Sequence, residues 1–179
     1  MNKLFFNYFK PKDECAVFGV YNNKDASSLT ALGLHALQHR GQDSTGIVSF
    51  SKKGKFFGHR GMGQVSEVFG NSDVIKKLEG SSCIGHNRYG TTGESALKNV
   101  QPLFSEIHLG GIAIAHNGNL TNTSILKEKL ISNGSIFQST SDTEVILHLI
   151  STAKGSLIDR LILALKTIRG AYSLLLLGE

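Results

Sequence analysis

Tryptophan is absent from the 179 residues, and proline and cysteine occur only twice each. Cys15 and Cys83 have no second cysteine or histidine at ligand spacing, which excludes a disulfide framework, a zinc site and any metal centre built on them. The longest apolar run, Leu174 to Leu177, is far too short to span a bilayer. No arginine-rich block or basic stripe with interleaved aromatics occurs, so the net charge of +5 reads as solvated lysine faces rather than a nucleic-acid surface. The leader, Met1 to Glu14, sets Lys3 before Leu4-Phe5-Phe6 as a signal peptide would. Asn7 then breaks the apolar part, and lysines and acids replace the small-residue cleavage site. These absences describe a cytoplasmic protein without a membrane or nucleic-acid partner.

What is present is globular: 40% hydrophobic and 18% charged residues, in a length that fits one domain with a real core. Twenty glycines exceed the usual share of about 7%, and they cluster in loops.

The periodicity predicts a buried strand from Cys15 to Tyr21. A helix from about Ala26 to His39 follows, capped by Ser27 or Ser28 and stopped at Arg40-Gly41. Ile47–Phe50 and Lys55–Gly58 read as strands around Lys53-Gly54, and Asn71–Leu78 as a short polar helix. A strand begins at Ser82 and enters a Gly/Thr-rich loop. Ile107–Ala115 is the strongest strand, with Gly110-Gly111 suggesting a hairpin and Asn117-Gly118 a strand end. Thr121–Ser132 is a helix closed by Asn133-Gly134. Ser141-Asp142-Thr143-Glu144 is a capping-box pattern, and a helix from Ser156 to about Ile168 begins similarly. Ala171–Leu177 reads as a buried strand that wants a neighbour on each side. Hairpins and helices gathered in blocks point to the α+β class.

Five stretches carry chemistry. Cys15 stands at the head of a strand, where a buried small hydrophobe is the ordinary explanation. The sharper one is that residues 1–14 are removed, so that the freed α-amine serves the thiol as a built-in base. Gln38–Ser44 holds the fixed cation Arg40 and several hydrogen-bonding side chains, and is equally a polar helix end. Gly85–Gly93 offers Arg88, whose planar fork suits a carboxylate, with threonines to complete a cradle. Ala115–Leu120 is either a turn or an oxyanion site built from an amide side chain and a backbone N–H. Asp142 either complements a helix dipole or holds a substrate ammonium. Together they provide what is needed to hold a free α-amino acid and attack its side-chain carbonyl. Glutamine is the natural candidate, with ammonia released.

These residues, in this order, resemble the class II glutamine amidotransferases, which are N-terminal-nucleophile hydrolases. The resemblance rests on Cys15-Ala-Val-Phe-Gly, Leu37-Gln-His-Arg-Gly-Gln-Asp-Ser, Gly85-His-Asn-Arg-Tyr-Gly-Thr-Thr-Gly, Ala115-His-Asn-Gly-Asn-Leu and Thr140-Ser-Asp-Thr-Glu. It runs from Asp13 to the end of the chain. Within that family the match is to the branch that uses phosphoribosyl pyrophosphate. The glucosamine-6-phosphate synthases differ by Tyr-Arg-Gly-Tyr at residues 39–42 and Arg-Trp-Ala-Thr at 88–91.

The resemblance implies a four-layer αββα sandwich, incomplete at its C-terminus, in which residues 1–14 are a propeptide and 15–179 a glutaminase domain. It implies Cys15 as nucleophile, and Asn117 with the Gly118 N–H as oxyanion hole. Arg88 and Thr91 would hold the α-carboxylate, Asp142 the α-amine, and Arg40 would support the site. The ammonia would convert phosphoribosyl pyrophosphate to 5-phosphoribosylamine in purine synthesis. That step needs a phosphoribosyltransferase domain or partner chain in trans, because its motif does not occur here. Magnesium, and in some members an iron–sulfur cluster, would belong to that missing part, leaving this chain without a cofactor. A homo-oligomer is left open. Other readings remain beside this one: an inactive truncated remnant, a glutamine-binding module, and a stand-alone class II glutaminase serving another acceptor.

Overall fold

The computed structural model describes residues 15–40, 43–89 and 96–178. Strands β1 (Ala16–Val20), β2 (Ser44–Phe50), β3 (Phe56–Met62) and β4 (Ser82–Arg88) form one sheet in the order β1-β4-β2-β3. Strands β5 (Leu103–Ile107), β6 (Gly110–Leu120) and β7 (Gly170–Gly178) form a second in the order β5-β6-β7. All neighbours are antiparallel.

Helices α1 (Ala26–Ala36), α2 (Val65–Val68) and α3 (Ser72–Lys77) cover the first sheet; α4 (Thr123–Ser132), α5 (Asp142–Thr152) and α6 (Leu157–Thr167) cover the second. Four layers need three apolar seams, and three are present. Leu34, Ile47, Val65 and Cys83 fill the seam between the first helices and their sheet. Val48, Ile84, Ala113 and Ala115 lie between the sheets. Ile112, Ile114, Val145, Ile146 and Ile150 fill the seam under α4–α6.

The period-2 alternation of a strand explains how one run of residues feeds two seams. On β4, Cys83 joins the helix side and Ile84 the sheet side. Between them and Asn87, Gly85 lets α1 come close: a Cβ there would sit 2.7 Å from Leu34 and 2.8 Å from Thr30. On β7, Leu174 and Leu176 pack toward the helices and Leu175 and Leu177 toward the first sheet. Four consecutive leucines are thus what a strand covered on both faces calls for.

Some expectations shift. No side chain caps α1; its N-cap is Asp25, while Ser27 turns inward and donates to the Leu78 carbonyl at 2.5 Å, beside Cys83. The β5–β6 hairpin turns at His108-Leu109, just ahead of the paired glycines, with Ile107 opposite Gly110. Strand β6 then runs through Asn117-Gly118 to Leu120, so this Asn-Gly is no strand end; its partner β7 continues alongside, pairing Gly118 with Tyr172. β7 is half-exposed rather than buried, because among the described residues it pairs only with β6. At α5, Ser141 accepts the Thr143 N–H as expected. Glu144 does not close a capping box, however: it reaches back to the N–H groups of Gln138 and Ser139.

α4 does end as its sequence indicates. The Ser135 N–H bonds the Leu130 carbonyl and the Gly134 N–H that of Ile131, with Gly134 at φ 92°, the Schellman arrangement that glycine permits.

Candidate active site

The two sheets bring the ends of β1, β4 and β6 to one edge of the sandwich. Cys15 directly precedes β1, whose register sets Ala16 against Asn87 and therefore places the thiol beside the end of β4. The Tyr89 N–H donates to Cys15 Sγ at 3.3 Å. Burial pushes the thiol above its ordinary pKa, and the Tyr89 backbone and the positive charge of Arg88 offset only part of this. The thiol rests protonated and needs a base before it can attack.

Arg88 ends β4, is buried to 7% exposure, and donates through Nη1 to Asp43 Oδ2 at 3.1 Å. This ion pair, absent from the sequence reading, fixes the guanidinium plane where a bidentate anion contact demands orientation.

On β6, Gly118 adopts φ 151°, and a Cβ there would meet the Ala171 carbonyl oxygen at 2.1 Å. Glycine is therefore required for β7 to pair. Asn117, half-buried, lies one residue before it. Asp142 opens α5. Its Oδ2 accepts the Leu120 N–H at 3.2 Å, and its Oδ1 lies 3.5 Å from His116 Nδ1. Burial alone would raise its carboxyl pKa. Hydrogen bonding and charge from His116, with the N–H groups of Leu120 and Thr143, bring it below the usual carboxylate value. Asp142 is a fixed anion.

Cys15, Arg88, Gly118 and Asp142 line a single cleft of about 210 Å³. Asn117 adjoins it. Thr91 lies outside the described residues, and Arg40 is described only as the end of a 3₁₀ turn over Gln38–Arg40. A second cavity, about 350 Å³ between β5 and α5, is larger but contains no thiol, and its Glu144 is occupied by Gln138 and Ser139.

The sequence reading gave no role to the polar groups behind the cleft. His86 Nε2 donates to the His116 carbonyl at 3.0 Å. Gln101 accepts the His116 N–H at 2.7 Å and donates to its carbonyl at 3.4 Å. Asn99 exchanges two hydrogen bonds with Thr140 and so ties the approach to α5. His86 is fully buried, and its pKa is lowered to about 3 by that burial; it is a neutral donor. His86 and His116 lie in motifs the sequence reading quoted. Gln101 carried no signal beyond its place before a proline.

A polar cleft with a thiol, a clamped guanidinium, a backbone donor and a carboxylate suits attack on the side chain of an amino acid. Comparisons with known proteins identify the family. A family model described as the glutamine amidotransferase domain matches residues 86–179. The amidophosphoribosyltransferase of Rhizobium etli is 55% identical over 164 residues, covering 91% of this chain and 33% of that protein. The amidophosphoribosyltransferase of Lacticaseibacillus casei is 48% identical over 168 residues, covering 93% and 86%. A solved structure of "the allosteric regulatory enzyme of purine biosynthesis" superimposes with a TM-score of 0.86 at 44% identity, covering 91% of this chain and 35% of that one. The chain spans about a third of the length of the first of these relatives. Its layering is that of the N-terminal-nucleophile hydrolases, and the chain belongs to the glutamine amidotransferase family, in its amidophosphoribosyltransferase branch.

Proposed function

We propose that this chain is the glutaminase half of an amidophosphoribosyltransferase and hydrolyses glutamine to glutamate and ammonia through a Cys15 thioester. The observation that carries the reading is the convergence of Cys15, Arg88, Gly118 and Asp142 on one cleft. Arg88 takes the α-carboxylate with help from Thr91, Asp142 takes the α-ammonium, and Arg40 supports the site. These contacts hold the γ-amide against the thiol.

Removal of residues 1–14 frees the Cys15 α-amine, whose ordinary pKa near 8 suits a base at neutral pH. Through a water molecule the amine takes the thiol proton, and the thiolate adds to the amide carbon. The resulting oxyanion is met by the Asn117 side-chain amide and the Gly118 N–H. Collapse breaks the C–N bond; the ammonium formed on the chain's N-terminus returns its proton to the leaving nitrogen, releasing ammonia. Water then hydrolyses the γ-glutamyl thioester to glutamate and restores the thiol. Thiol, amine and hydrogen-bond donors complete this step without a cofactor.

In the whole enzyme the ammonia would meet phosphoribosyl pyrophosphate on a phosphoribosyltransferase domain or partner chain and give 5-phosphoribosylamine. Magnesium and any iron–sulfur cluster would serve there. A nucleophilic thiol that must stay reduced favours the cytoplasm, and no described helix is long and apolar enough to cross a membrane.

The test is release of glutamate and ammonia from L-glutamine by the purified protein. Cys15→Ala should leave the fold intact and remove the activity. Activity persisting in that variant at the wild-type level overturns the nucleophile assignment.

A further inference from the structure

His116 is 2% exposed, sits on β6 one residue before Asn117, and has been given no part in the proposed reaction. Its backbone is held from two sides, by Gln101 at both N–H and carbonyl and by His86 at the carbonyl. The root of the ring is therefore fixed. At its other end Nδ1 lies 3.3 Å from Thr143 Oγ1 and 3.5 Å from Asp142 Oδ1. Nε2 is buried without a partner among the described residues.

That asymmetry selects a tautomer. A proton on Nε2 would be an orphaned buried donor, while the Nδ1 lone pair would face a carboxylate. A proton on Nδ1 instead points at Asp142 and leaves only a lone pair unsatisfied, the cheaper of the two losses. The C-terminal end of β6 holds Asp142 by one carboxylate oxygen through the Leu120 N–H; His116 holds the other.

Resting on the reading that Asp142 receives the substrate ammonium, we propose that His116 is a positioning residue for the amino-group site. Its Nδ1–H aims Asp142 Oδ1 into the cleft, so that the enzyme favours substrates bearing an α-ammonium. His116 is also among the residues that line the cleft. One buried imidazole thus couples the ammonium site to the strand that carries the oxyanion donors.

The experiment compares L-glutamine with glutaramate, which lacks the α-amino group, as substrates. Asn places its amide nitrogen near Nδ1, whereas Gln places one near Nε2. His116→Gln should lower kcat/KM for L-glutamine by about 10- to 100-fold, the worth of one hydrogen bond to a charged group. Glutaramate turnover should hardly change, and the loss should appear in KM more than in kcat. His116→Asn should restore the preference.

Equal losses for both substrates, or equal behaviour of the Asn and Gln variants, overturn the proposal and leave His116 a packing residue. Asp142→Asn separates the layers: if it too leaves the preference intact, the ammonium site itself is wrong. If it abolishes the preference and His116→Gln does not, only the positioning role falls. Should the variants fail to fold, ring ¹⁵N spectra of the wild-type protein decide the matter. A proton on Nδ1 agrees with the proposal, and a neutral ring protonated at Nε2 contradicts it.

Discussion

Lowering the pH should unfold this protein through one imidazole. His86 is fully buried between the sheets, donates to the His116 carbonyl at 3.0 Å, and has no partner at Nδ1 among the described residues. Burial, with the neighbouring charges of His116 and Arg88, lowers its pKa from 6.5 to about 3. The unfolded chain binds this proton near pH 6.5 and the folded chain only near 3, so the stability associated with neutral His86 is complete above pH 6.5. It is lost progressively as the pH falls toward 3. Each pH unit in that window is worth about 1.4 kcal/mol. Between pH 6.5 and 4.5 the group should therefore remove between ~2 and ~3 kcal/mol, a large part of the stability of an ordinary domain.

His86→Gln keeps an N–H near the position of Nε2 but cannot take a proton. Urea unfolding at a series of pH values should show the gap between wild type and variant narrowing, or reversing, by that amount on acidification. Carboxylates such as Asp142, whose lowered pKa also favours the folded state at neutral pH, contribute to both proteins and cancel in the difference. Parallel stability curves for the two proteins would refute the argument.

Arg88→Ala should raise the KM for L-glutamine far more than it slows attack on an analogue without the α-carboxylate, as steady-state kinetics would show; equal damage to both removes the carboxylate clamp. Gly118→Ala forces a Cβ against the Ala171 carbonyl oxygen at a φ of 151°. The strain should cost roughly 1–3 kcal/mol, read as a lower Tm, together with loss of glutaminase activity. Glu144→Gln replaces an acceptor of three hydrogen bonds, from Gln138 N–H, Ser139 N–H and Ser139 Oγ, by a group that must turn a donor toward donors. It should cost about 1–3 kcal/mol in denaturant titration and weaken glutamine binding through the displaced start of α5. Unchanged stability would show that the loop before α5 is held elsewhere.

Much of the site was legible because its residues stand at strand and helix ends, where local chemistry announces them. Cys15 heads a strand, Arg88 ends one, and Asp142 opens a helix whose Ser141 cap is visible in sequence. The α+β class followed from blocks of hairpins and helices, whereas the four layers were implied only by the family resemblance. Other features depended on contacts made only after folding. The Arg88–Asp43 pair joins residues 45 positions apart, and Gln101 and His86 reach His116 from 15 and 30 positions away. No local pattern marks such partners. Gly118 misled for a related reason: Asn-Gly normally turns a chain, but pairing with β7 draws this one into a strand. Helix α2, four residues long, is too short for periodicity to register.

The central claim is that Cys15 is an N-terminal nucleophile acting on the side chain of glutamine. The most direct test is peptide-level mass spectrometry of the protein after exposure to an electrophilic glutamine analogue carrying a diazoketone in place of the amide. The account predicts one adduct, on Cys15, in a chain that begins at Cys15, and its suppression by excess L-glutamine. An adduct on Cys83, or an unmodified Cys15 still joined to Glu14, would contradict it.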